Sequence, residues 1–112
     1  MNSRQKGKGG ELELAKLLRS YGYSARRGQQ YSGISGDADV VGVPGLHIEC
    51  KRVEQLNIEN ALLQSERDAP DGVIPVVMHR KNREPWKVTI RLDAFMRMWS
   101  AWLKIHGLKG DG

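Results

Sequence analysis

The chain has 112 residues, enough for one domain around one hydrophobic core. Its 18 Lys and Arg against 13 Asp and Glu leave a formal net charge of +5, which favours a polyanionic partner. A single cysteine excludes an internal disulfide framework, the Cys and His spacing offers no zinc site, and no apolar run nears the roughly 18 residues that span a bilayer. The expectation is an intracellular protein with no membrane partner and no leader peptide.

Residues 1–10 are basic and glycine-rich and read as an arm or a frayed helix start. From Glu11 the pattern turns helical, with Leu14, Leu17, Leu18 and Tyr21 on one stripe and Gly22 as the stop. On that helix Glu11 leans toward the buried face, while Glu13 falls with Lys16 and Ser20 toward solvent. Residues 23–28 read as a first strand carrying Arg26 and Arg27, followed by a polar, mobile loop to Gly36.

Residues 38–43 and 46–52 read as a hairpin around the turn signal Pro44-Gly45. Asn57 is a good N-cap for a helix over 58–69, with an apolar stripe of Ile58, Ala61, Leu62 and Ala69. Its polar stripe, Asn60, Gln64 and Arg67, offers Gln64 and Arg67 to a phosphate or to water. A buried strand over 73–78 and a basic turn from His79 to Pro85 follow, with Arg80, Lys81 and Arg83 placed to meet a DNA backbone. Residues 86–91 alternate as a strand, and Asp93 is the expected cap of a last helix to Ile105. That helix is apolar on more than one face. The surplus, Met98, Trp99 and Trp102, is an expected dimer interface. Residues 107–112 form a tail. No internal repeat or domain boundary is found, so 1–112 is one α/β domain of order α-β-β-β-α-β-β-α with a mixed sheet between helices.

The chemistry lies in two short strands that carry acids where a buried core would want none. Period-two alternation puts Glu49 and Lys51 on one face and Ile48 and Cys50 on the other. Asp39 comes from the paired strand. Two carboxylates and an ammonium at one sheet edge can hold a divalent ion and orient a water, which is the requirement of phosphodiester hydrolysis. Glu11 can bind the ion directly or through water, Lys51 can stabilise transition-state charge, and Arg27 can clamp a phosphate oxygen. Asp37 stays open beside Asp39 as a metal ligand. A Glu-x-Lys alone is a weak signal. Its place in an apolar strand, after an aspartate strand and a helical glutamate, makes it specific.

This ordered set resembles the PD-(D/E)xK nuclease superfamily, and within it the archaeal-type and phage-encoded Holliday-junction resolvases. The run Lys6-Gly7-Lys8-Gly9-Gly10-Glu11-Leu12-Glu13-Leu14-Ala15-Lys16-Leu17-Leu18 is similar to the opening helix whose glutamate is catalytic. Arg27 matches an arginine that closes the first strand, Ala38-Asp39-Val40-Val41 the aspartate strand, and Ile48-Glu49-Cys50-Lys51 the E-x-K strand. Ala38 replaces the proline that names the motif, and Leu12 stands where archaeal members often carry an arginine. The resemblance implies a restriction-endonuclease-like core, Mg²⁺ as cofactor with Mn²⁺ as substitute, and a symmetric homodimer cutting branched DNA in a bacterial or phage-infected cell. Lys6, Lys8, Arg26 and Arg27 join the expected DNA contacts. Nicking, flap-cutting or restriction-like cleavage of duplex DNA, and basic DNA binding without catalysis, are the competing expectations.

Overall fold

The computed structural model describes residues 3–29 and 38–108. Asp37, nearly all of the polar loop before it, and the end of the tail lie outside the described residues. The chain runs α1 (Ser3–Ser20), β1 (Arg26–Arg27), β2 (Val40–Val41), β3 (Leu46–Arg52), α2 (Ile58–Asp68), β4 (Ile74–Arg80), β5 (Lys87–Thr89) and α3 (Leu92–Ile105), the expected order.

The five strands form one mixed sheet in sequence order. β1, β2 and β3 are an antiparallel meander, β3 and β4 are parallel across α2, and β4 and β5 are antiparallel. The α2 crossover is what a parallel pair requires. Leu14, Ala15 and Leu18 of α1 cover one face of the sheet, packing with Val40, Ile48, Cys50, Val76 and Met78. Ala61 and Leu62 of α2 cover the other face, over Val77. Burying each large aliphatic here is worth about 1.5–3 kcal/mol, so the central strands are the most strongly held part of the fold.

Several local expectations are corrected. α1 begins at Ser3, so most of the basic, glycine-rich arm is helical. Gly10 has a packing reason to be in that helix: a Cβ there would lie 2.9 Å from the Arg52 Cβ. The helix ends as expected at Gly22, whose φ of +99° suits a residue without a Cβ. The Gly22 amide returns to the Arg19 carbonyl and the Tyr23 amide to Leu18, a Schellman stop. Tyr21, read as part of the apolar stripe, lies in the turn between the helix end and Gly22 and is exposed.

Strands β1 and β2 are only two residues each, shorter than the alternation implies. β4 runs on through His79 and Arg80, which the sequence assigns to the turn. The turn itself holds Arg83 in a left-handed conformation at φ 64°. Asn57 caps α2 as expected, accepting from the Asn60 amide at 3.0 Å. Asp93 does not cap α3, because Arg91 takes that position and anchors the helix to α2 instead. Its guanidinium grips both oxygens of Glu66, at 2.9 and 3.1 Å, and Glu59 at 2.7 Å. Among the described residues no helix is long and apolar enough to cross a membrane.

Glu13 also departs from its solvent assignment. Arg52 and Arg80 are register partners on β3 and β4 and lie side by side on the α1 face. Two adjacent cations need an anion, and Glu13 supplies it. Its carboxylate accepts from Arg80 Nε at 2.6 Å and Trp86 Nε1 at 3.2 Å, and stands 3.4 Å from Arg52 Nε. These partners hold its pKa below the usual carboxylate value, the Arg80 hydrogen bond foremost.

Candidate active site

The register that pairs Val40 with Ile48 sets Asp39 beside Glu49. Asp39 sits where β2 begins and is fixed on both sides. Its amide donates to the Ile48 carbonyl at 3.0 Å, and its carbonyl accepts from the Gly28 amide at 2.9 Å. Its carboxylate then accepts from the Cys50 amide at 2.8 Å. That backbone donor carries no sequence signal, since any residue but proline at position 50 would provide it.

Glu49 lies in the middle of β3 with only 5% of its surface exposed. Burial, and then the charge and hydrogen bond of Asp39, push its pKa up to about 7. Lys51 Nζ stands 3.5 Å from the Glu49 carboxylate and offsets part of this. Two carboxylates forced together where one is nearly buried hold either a proton or a cation between them. The alternation of β3 puts Glu49 and Lys51 on one face, as the sequence implies, and that face is the one α2 covers. Cys50 points the other way, into the core under α1. Burial and the nearby carboxylates push its thiol well above the ordinary range, so it is inert packing rather than a nucleophile.

Glu11 reaches the same cluster from α1. Its carboxylate takes the Arg27 guanidinium as partner, joining α1 to β1. Burial raises the Glu11 pKa, Arg27 opposes this, and the Asp39 charge adds to it, so Glu11 is electrostatically part of the site. Among the described residues no three His, Cys, Asp or Glu side chains gather closely enough to enclose a metal ion. The close pair is Asp39 and Glu49, and Glu11 faces it while bound to Arg27. Arg26 and Arg27 are both exposed, as a two-residue edge strand allows.

The donor chemistry fits a hard divalent cation. Two carboxylates supply oxygen ligands, and an ion such as Mg²⁺ keeps several waters for the remaining positions. Burial and the neighbouring Asp39 charge, which raise the Glu49 pKa, are also what a cation beside the pair would offset. Asp39 and Glu49 are therefore the residues that would hold the ion.

The remaining expected contacts divide. Arg80 is committed to Glu13 and stacks over the Trp86 ring at 5.7 Å, so its role in this structure is to join β4 to α1. Lys8, Lys81, Arg83 and Arg67 are exposed, and Gln64 is half-buried on α2. The side chain of Lys6 and all of Asp37 lie outside the described residues. Ser65, which the sequence does not single out, is fully buried and its hydroxyl stands 3.2 Å from the His47 carbonyl and 3.0 Å from that of Val76. It braces β3 and β4 under the site.

A helix glutamate, an aspartate strand and an E-x-K strand on a mixed sheet define a nuclease of the PD-(D/E)xK class, whose members use divalent metal ions. The sequence profile of one family, described as "Phage putative PDDEXK endonuclease", matches residues 2–105, and the chain belongs to that family. No curated protein matches. Among solved structures the chain is similar to Hjc, a Holliday junction resolvase from the archaeal hyperthermophile Archaeoglobus fulgidus. The TM-score is 0.53 at 25% identity, over 76% of this chain and 72% of that one.

Proposed function

We propose that this endonuclease is a Mg²⁺-dependent, structure-specific enzyme that resolves four-way DNA junctions as a homodimer. The observation that carries the catalytic half is the convergence of Asp39, Glu49 and Lys51 where β2 meets β3, with Glu49 pushed up to about 7 by burial and Asp39. The substrate half is supported by the likeness to an archaeal junction resolvase.

Asp39 and Glu49 would hold the metal, which when bound supplies Lewis acidity and positive charge at the scissile phosphate. The Cys50 amide keeps the Asp39 carboxylate oriented. Lys51, 3.5 Å from Glu49, presents its ammonium to the charge that develops on phosphate oxygens. Arg27 holds Glu11 in place and offers its remaining N–H groups to a phosphate.

The dimer is supported by α3. Phe95, Met96, Met98, Trp99 and Trp102 are each 41–45% exposed in the single chain, and Ala94 alone of this helix is buried. Phe95, Trp99, Trp102 and His106 stack in a continuous ladder with centroids 6.4, 5.0 and 3.9 Å apart. A second copy would cover this apolar ladder, and two-fold symmetry would set two sites on equivalent strands.

The test is incubation with an end-labelled immobile junction in Mg²⁺, beside a linear duplex and a Glu49→Gln protein. Paired symmetric cuts in the junction, absent from the duplex and from Glu49→Gln, are expected. Equal cutting of duplex, nicked and flap DNA would overturn junction specificity and leave a general nuclease. Binding without cutting, in Mn²⁺ as well, would overturn catalysis.

A further inference from the structure

Beyond the carboxylate pair, on the same face of the sheet, the structure contains a cavity of about 370 Å³. It opens where the parallel strands β3 and β4 end and α2 begins. Val53, Leu56 and Ile58 form its apolar floor, and His79, Lys81 and Lys87 line its cationic side. Carboxyl ends of parallel strands are where open α/β sheets collect ligands.

The register ties this cavity to the site. Lys51 pairs with His79, and His79 pairs with Lys87. Register partners share a face, so Lys51, His79 and Lys87 form one row across three strands, about 10 Å long at ordinary strand spacing. One end of the row touches Glu49. The other end enters the cavity. The His79 ring is fixed by a 2.9 Å hydrogen bond between Nε2 and the Thr89 hydroxyl. Burial and the Lys87 charge lower its pKa, so the permanent positive charge of the row comes from the lysines. Two acids share the cavity wall, Glu54, which accepts from the Asn82 amide at 3.0 Å, and Glu84, while Arg80 lines it with its guanidinium held by Glu13.

The geometry points to this row as a second phosphate subsite: Lys87 and His79, with Lys81 at the rim, hold a backbone phosphate of the cleaved strand flanking the one at Asp39 and Glu49. This rests on the nuclease reading and gives it a direction. The DNA strand crosses the sheet from β2 toward β5, along the strand ends. A phosphate held there fixes where along the strand the reacting phosphate falls, so the row sets cleavage position as well as affinity.

Neutral methylphosphonates, placed one at a time along each strand of a four-way junction, test this in equilibrium binding with Ca²⁺ in place of Mg²⁺. The wild-type protein is expected to lose about tenfold in affinity at one position that Lys87→Ala no longer senses. The Lys87→Ala salt slope should fall by about 0.9, one phosphate contact. Lys104→Ala, on α3 and outside the cavity, should keep the wild-type profile. A Lys87→Ala profile identical to wild type, with an unchanged salt slope, would overturn the subsite. Failure of the nuclease reading shows separately, as an uncut junction in Mg²⁺ and Mn²⁺ while this profile stands. Failure to bind DNA at all would overturn both.

Discussion

Arg27 and Glu11 are partners: the guanidinium of the first strand holds the carboxylate of the first helix at the edge of the candidate site. The sequence suggests separate tasks for them, a phosphate clamp and a metal ligand. Paired, each sets the other's position, and the Glu11 side chain is only 14% exposed. Arg27→Ala should lower cleavage by about 10²-fold, the usual scale for losing one charged contact to a reacting oxyanion. Arg27→Lys should recover only part of it, because an ammonium cannot reproduce the forked geometry. Single-turnover rates on a labelled junction measure both, and full activity in Arg27→Ala would reduce the pair to a surface contact.

The Glu49 carboxyl makes stability depend on pH in an unusual direction. Its folded pKa of about 7 lies above the ordinary carboxylate value of 4.5. Between those values the folded protein holds a proton that the unfolded chain has released. Stability should therefore fall as pH rises through that window, at most on the order of 1.4 kcal/mol per pH unit. Below the window both states are protonated and the loss disappears. His47 and His79, whose pKa values burial lowers, act oppositely, destabilising the fold as pH falls below the ordinary histidine value. The clean measurement is thus the difference in melting temperature between wild type and Glu49→Gln in EDTA from pH 5 to 8. Glu49→Gln should gain on wild type as pH rises, and Mg²⁺ should close the gap. A constant difference would remove the shifted carboxyl.

Gly10 should couple packing to cleavage. An alanine there would place its Cβ 2.9 Å from the Arg52 Cβ, which belongs to the rigid stem of a strand residue. α1 must then back away from β3, at a cost of about 1–3 kcal/mol. Glu11 is the next residue and moves with it. Gly10→Ala should lower the urea midpoint and slow cleavage together, whereas Gly9→Ala, with open space around it, should do neither.

The exposed ladder on α3 predicts oligomeric state. Trp99→Asp with Trp102→Asp should leave the single chain folded, since both residues are 43% exposed within it. Sedimentation should show a monomer for the double variant and a dimer for wild type. Paired cutting of a junction should be lost while nicking persists. A monomeric wild type at high concentration would separate α3 from dimerisation.

Much of this site is legible in the sequence because it lies on a strand with strong signals. β3 occupies the expected 46–52, bounded by Pro44-Gly45 on one side and the Asn57 cap on the other. That Glu49 and Lys51 share a face follows from alternation. What sequence could not supply is partnership across elements. The Arg52 and Arg80 pairing, and hence the need for Glu13 between them, depends on the β3–β4 register. Ser65 looks polar and outward until two strand carbonyls are placed beneath it. Alternation overstates the first two strands because it marks residues able to pair, while pairing at β1 and β2 stops after two residues. α1 extends into a glycine-rich stretch that helix propensity disfavours, and at Gly10 the close Arg52 Cβ gives a packing reason for the glycine that propensity does not show.

The Arg91 fork has a mechanical meaning. It clamps the start of α3 to Glu59 and Glu66 on α2, the helix that also covers the sheet face carrying Glu49. In a dimer built on α3, the gap between two cutting centres would be gauged by that clamp as by a caliper. Loosening one arginine would blur the offset between the two nicks while leaving each centre chemically intact.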